Sequence, residues 1–237
     1  MNRTLKVISL LLTYPTQELV DAIPELKAAV MGDTGLGDRE KLFLKRLCDD
    51  IAGRDLYDAQ ERYVHLFDRT RTLSLHLFEH VHGESRDRGG AMVDLMDMYR
   101  KAGFEIGVKE LPDYLPMFLE FLSTKPEAEA CELLGQTAHI LTALRERLKK
   151  RKSIYANAFA ALELIAGGKP DRALLDDLLN EPLDDPDDLE ALDRVWEEEV
   201  VTFGGNAGEN ACGPDRLQRQ LRAHQRKPDS GAAAPNA

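Results

Sequence analysis

The chain has 237 residues, 43% of them hydrophobic and 31% charged, which is enough apolar material for a packed core and suits one domain with an appendage. A formal net charge of -11 argues against a nucleic-acid groove, because phosphate contacts need clustered Lys and Arg. The three cysteines, Cys48, Cys131 and Cys212, form no C-x-x-C pair; zinc-ribbon and iron–sulfur readings lack support, and the sparse count fits a reducing compartment.

The first apolar run, Val7 to Leu12, is short and is stopped by Tyr14-Pro15 with no small-residue cleavage site after it. No run approaches the roughly 18 apolar residues of a transmembrane helix. The expectation is a soluble cytoplasmic protein. Leu5, Ile8 and Leu12 share one face of a first helix. Thr16 can cap a second, striped by Leu19, Val20, Ile23, Leu26 and Val30, which Pro24 should kink or split. Asp38 can cap a third, burying Leu42, Phe43, Leu47 and Ile51, and Gly53 ends it.

Asp55 caps a fourth helix through Leu56, Ala59, Tyr63 and Phe67. A break near Thr70 to Thr72 precedes a short helix expected from about Leu73 to His82. Arg88 to Ala102 reads as a long fifth helix with Met92, Leu95, Met96 and Tyr99 inside. Asp113 is the expected cap of a sixth, with Pro116 in its first turn and Leu115, Phe118, Leu119 and Leu122 facing inward. A seventh runs from Pro126 to Lys152, acidic first and basic last, as the helix dipole favours. Ser153 caps an eighth through Tyr155, Phe159, Leu162 and Ile165.

The acidity is local. From Asp171 to Glu199 there are 13 Asp and Glu against Arg172 and Arg194, a net of -11, so the rest of the chain sums to about zero. A short helix is expected at Leu189 to Trp196, and beyond Gly204 apolar residues nearly vanish. These patterns predict an all-α fold, a globular multi-helix bundle with a disordered C-terminal tail: residues 1–170 form the helical domain, 171–203 an acidic segment with a short helix, and 204–237 the tail.

The sharpest chemical signal is HLFEH, His76 to His80, which satisfies H-x-x-E-H. On a helix, His76 and His80 would share a face as two zinc ligands, with Glu79 to activate water, and a zinc-dependent hydrolase follows as one reading. A third ligand is not evident, and the competing reading is a polar seam of the bundle. His82, two residues past His80, would turn away from that pair. The turn GESRDRGG lacks the G-x-x-x-x-G-K-[ST] phosphate loop, and its plainer reading is a capped loop before a helix.

The block YVHLFDRTRTLSLHLFEHVHGESRDRGGAMVDLMDMYRKAGFE, Tyr63 to Glu105, followed by LPDYLPMFLEFLS, closely resembles the nitrate reductase delta-subunit family, the NarJ-type chaperones of molybdenum cofactor assembly. The similarity runs from Leu5 to about Phe203 and includes WEEEVVTF at Trp196. The related TorD and DmsD chaperones are more distant, and their E-P-x-D-H motif is not found here; LFEHVHGESRDRG stands in its neighbourhood instead. The resemblance implies a cytoplasmic chaperone and not an enzyme. It implies binding of the N-terminal segment of the apo catalytic (alpha) subunit of respiratory nitrate reductase, which is held for insertion of bis-molybdopterin guanine dinucleotide before membrane docking. It implies no stably bound cofactor, no nucleic acid and no membrane insertion of the chain itself.

A helical client can lie in a seam between two elements of such a bundle. Leu75, Phe78, Tyr114 and Phe118 are the expected apolar anchors. Glu79, Asp113 and Glu120 are expected to meet basic client residues, with His76 and His80 in the same seam.

Overall fold

The computed structural model describes residues 2–82, 86–107, 110–185 and 187–188, which belong to one compact unit, Met1–Glu198. The expected helix at Leu189 to Trp196 and the tail from 204 lie outside the described residues. Among those described, the regular elements are α-helices: α1 (Arg3–Leu11), α2 (Gln17–Gly32), α3 (Asp38–Ala52), α4 (Leu56–Tyr63), α5 (Glu79–His82), α6 (Arg86–Lys101), α7 (Leu115–Ser123), α8 (Glu127–Gln136), α9 (Ala138–Lys150), α10 (Ala156–Ala166) and α11 (Arg172–Asn180). The all-α expectation holds. Among the described residues no helix is long and apolar enough to cross a membrane.

Periodicity and caps build most of these elements as the sequence predicts. The Thr16 side chain accepts from the Leu19 N–H at 3.2 Å and Asp55 from the Tyr57 N–H at 2.9 Å, each satisfying a donor that the first helical turn leaves open. Leu5, Ile8 and Leu11 are fully buried, and α1 packs on α7. The Ser9 hydroxyl donates to the Pro116 carbonyl at 2.6 Å and the Asn2 N–H to the Ser123 carbonyl at 2.8 Å, so both ends of α7 are pinned to α1. The alanine-rich α10 lies against both α3 and α9, where small side chains let helix axes approach closely. Its end is set by Gly167 at φ 62°, a left-handed conformation that glycine adopts without a Cβ clash.

Several boundaries differ from expectation for identifiable reasons. Pro24 neither splits nor ends α2; it sits on the exposed face, where water can serve the carbonyl it strands. Gly37, not Asp38, is the N-cap residue of α3, and Asp38 is the first helical residue. The expected seventh helix is two, α8 and α9. They break at Thr137, whose hydroxyl donates back to the Leu134 carbonyl at 2.8 Å and competes with the helical ladder. Past α4 the chain widens into a π-helical turn, Val64–Asp68, then tightens into a 3-10 turn, Arg71–Leu73.

The helix expected from Leu73 to His82 does not form as one piece. Between the 3-10 turn and α5 the chain is extended only about His76, in an isolated antiparallel bridge to Tyr114, with a bend at Leu75 and a turn at Leu77 and Phe78; α5 begins only at Glu79. Leu73, Leu75 and Leu77, at the 3-10 turn, the bend and the following turn, are all buried, a period of two that a continuous α-helix would not place on one face. At the other end, the acidic stretch contains a helix the sequence reading passed over. α11 packs on α9, buries Leu178, and is capped by Asp171, which accepts from the Ala173 and Leu174 N–H groups.

Candidate functional site

The site is built where the segment about His76 crosses the start of α7. The Leu115 N–H donates to the Leu75 carbonyl at 2.8 Å and the Leu77 N–H to the Asp113 carbonyl at 3.0 Å, so two backbone bonds tie the segments together. Asp113 is fully buried, at 0% exposure. Its Oδ1 faces His76 Nδ1 at 3.1 Å and its Oδ2 accepts the Phe78 N–H at 3.1 Å. A carboxylate only accepts, so His76 donates from Nδ1. This use of Asp113 replaces its expected role as the α7 cap: Tyr114 is the N-cap residue, and its side chain makes no capping bond.

The second histidine is held differently. His80 Nε2 donates to the Ser74 carbonyl at 2.8 Å, closing a loop of the chain on itself, and the Ser74 hydroxyl accepts the His76 N–H at 3.2 Å. Burial pulls the His80 imidazole below its ordinary pKa, the Ser74 bond opposing. Burial also pulls on His76, but the hydrogen bond and charge of Asp113, with Glu79 beyond, outweigh it and leave His76 raised. The two histidines are therefore shifted in opposite directions.

Aromatic side chains frame this arrangement. The His76 and Tyr114 rings lie tilted with centroids 5.4 Å apart. Tyr63 donates its hydroxyl proton to the Leu12 carbonyl at 3.0 Å, so in its 3.0 Å contact with Tyr114 it is Tyr114 that donates. Glu79 meets Arg88 at 3.2 Å, which joins α5 to α6. Ser74 is the one member of the site that no sequence pattern marks; the alternation of Leu73, Leu75 and Leu77 around it is the signal that a non-helical segment was there to be braced.

The predicted site residues divide into two groups. His76, Phe78, Glu79 and Tyr114 are partly exposed and come together around the crossing, with the half-buried His80 behind them. Leu75, at 3% exposure, and Phe118, at 5%, stand in the core, and Asp113 is enclosed, so none of the three presents a free surface. Glu120 is committed to an ion pair with Lys6 of α1. The zinc reading loses its geometry: His76 lies before α5 and His80 on it, so the two do not share one helical face, and among the described residues no group of three or more His, Cys, Asp or Glu could hold a metal.

The family model for the nitrate reductase delta subunit matches residues 20–161, a span that contains the whole crossing. The chain belongs to the nitrate reductase delta-subunit family. It is 41% identical over 232 residues, 98% of its own length and 94% of the relative's, to the nitrate reductase molybdenum cofactor assembly chaperone NarJ of Escherichia coli K12. It is also 42% identical over 199 residues, 84% of its length and 83% of the relative's, to a second protein of that organism, described as a probable nitrate reductase molybdenum cofactor assembly chaperone, NarW. A solved structure described as a "putative redox enzyme maturation protein" from Archaeoglobus fulgidus superposes with a TM-score of 0.52 at 22% identity, covering 70% of this chain and 94% of that one; this likeness concerns the fold. Within the delta-subunit family, then, the bundle is a chaperone scaffold. The crossing of the His76 segment with the start of α7 is a braced polar face upon it.

Proposed function

We propose that this protein is an assembly chaperone for a nitrate reductase: it binds the catalytic subunit before its molybdenum cofactor is in place and holds it competent for insertion. The observation that carries this reading is likeness to the assembly chaperone NarJ along 98% of the chain. In finer detail, the client element is the N-terminal segment of the catalytic subunit, bound as a helix. The group inserted is bis-molybdopterin guanine dinucleotide, which this chain does not itself retain. The setting is cytoplasmic, before the client docks at the membrane. Residues 1–170 are the docking domain, and the face offered to the client centres on His76, Phe78, Glu79 and Tyr114.

The physical support for that face is its mix of chemistry. Phe78 is a half-buried apolar anchor, Glu79 a carboxylate for a basic client residue, and Tyr114 and His76 a pair of tilted rings beside them. Asp113 and Leu75 hold these groups from behind, and Phe118 supports α7 beneath them. Co-purification from cells expressing the catalytic subunit, with and without its N-terminal segment, tests the reading. Capture that depends on the segment is expected; equal capture of both forms moves the contact elsewhere on the client, and no capture removes the chaperone assignment.

A further inference from the structure

Arg147 of α9 is 1% exposed, the largest fully buried side chain in the described structure. An interior guanidinium is tolerated only where acceptors replace its water. Here they come from two places. Nη1 donates to the Thr72 carbonyl at 2.7 Å, while Nη2 donates to the Leu178 carbonyl at the end of α11 and to Glu181 Oε2 at 3.0 Å. One charged side chain thus joins the 3-10 turn to the end of α11.

The same turn is gripped a second time. The Thr72 N–H donates to Asp184 Oδ2 at 2.9 Å, the Asp184 N–H donates to Thr72 Oγ1 at 3.4 Å, and Arg151 donates to the Asp184 carbonyl. Glu181 to Asp184 is therefore a strap clasped onto Thr72 through both its backbone and its side chain. Two residues later the crossing begins. From Ser74 to Leu77 no α-helical ladder fixes the chain; bonds to Leu115 and His80 brace its middle, and its two flanks are held at Thr72 and at Asp113. Asp113 is one anchor and the Arg147–Asp184 clasp is the other.

We propose that Arg147 and Asp184 are positioning residues for client binding: acting through Thr72, the acidic strap after α11 sets where His76 and Phe78 stand, and so tunes affinity for the client. This rests on the chaperone reading above, and gives the acidic stretch a role that its composition alone does not suggest. Neither residue needs to touch the client.

The experiment compares three full-length variants by amide hydrogen exchange and by titration with a peptide of the catalytic subunit's N-terminal segment. Asp184→Ala removes the acceptor for Thr72. Asp184→Asn keeps an acceptor oxygen. Thr16→Ala removes the α2 cap, far from the clasp in sequence, and serves as a control for general destabilisation. In Asp184→Ala, exchange at Thr72, His76, Leu77 and Phe78 is expected to quicken roughly tenfold, as loss of a part-buried bond implies, and peptide affinity to fall several-fold. Asp184→Asn should restore both, and Thr16→Ala should lower Tm while moving neither. Unchanged exchange in Asp184→Ala overturns the proposal, as does an equal effect from Thr16→Ala, or faster exchange with undiminished affinity. A wild type that fails to bind the peptide removes the N-terminal segment as the client element and leaves the chaperone reading to the co-purification test, and exchange alone then decides whether the clasp positions the segment.

Discussion

The His76 imidazole meets the fully enclosed Asp113 carboxylate at 3.1 Å, and that carboxylate also carries the Phe78 N–H. One side chain at the start of α7 thereby fixes two neighbours on a segment with no regular secondary structure of its own. Asp113→Ala removes both bonds and strands a partly buried donor, at about 1–3 kcal/mol per unsatisfied group. Urea unfolding should show a loss of about 2 kcal/mol or more, and exchange at Phe78 should quicken beyond that global change. A variant as stable as wild type would mean that solvent replaces Asp113 at no cost.

Opposite shifts at the two histidines give a signed pH dependence. His76 is raised in the folded state, so its contribution is fully present below the ordinary histidine value of about 6.5 and is lost as pH rises through the raised folded value. His80 is lowered, so its contribution is present above that ordinary value and is lost as pH falls through the folded value. The stability gap between wild type and His76→Gln should therefore widen from about pH 8.5 to about pH 5.5, whereas the gap for His80→Gln should narrow. Denaturant melts at the two pH values read this directly. A His76→Gln gap that is constant with pH would show that the Asp113 contact does not favour the charged ring.

Helix content was legible because burial along a helix repeats every three to four residues, and Thr16 and Asp55 declare two of the starts in plain side-chain chemistry. The crossing was legible only in composition. HLFEH suggested a helix because His76 and His80 stand four apart, yet Leu73, Leu75 and Leu77 one register away carry the opposite period, and the long-range bonds to Asp113 and Tyr114 decide between them. Such bonds have no local signature. Arg147 illustrates the same limit: at the basic end of α9 it looks like a dipole-stabilising surface residue, and only tertiary packing reveals it as interior. In α11 the pairs Leu174–Leu175 and Leu178–Leu179 carry a helical stripe, which the surrounding acidic residues hid.

Burial pushes the Cys48 thiol up to about 11, with the neighbouring Asp49 charge adding to the effect. The thiolate is the nucleophile, so Cys48 should resist alkylation in the folded protein and react only on unfolding. Peptide mass spectrometry after iodoacetamide treatment at about pH 8, with and without urea, measures this. Rapid labelling of Cys48 without urea would mean that α3 opens locally.

Phe78 and Phe118 separate docking from folding. Phe118 is a core side chain of α7, and truncation to alanine should cost about 3–5 kcal/mol of stability through lost burial and the cavity left behind. Phe78 packs only partly against the core, so Phe78→Ala should cost less in a melt. If Phe78 is the client's apolar anchor, burying it in the complex contributes about 1.5–3 kcal/mol, roughly ten- to hundredfold in affinity. Glu79 is already paired with Arg88 and partly exposed, so Glu79→Gln should weaken binding by about 1 kcal/mol at most, and chiefly at low salt. Calorimetric titration of the client's N-terminal peptide should therefore rank Phe78→Ala well below Glu79→Gln, with both proteins first shown to melt as folded domains. Equal, undiminished affinity in both, against a wild type that binds, would place the client on another face of the bundle.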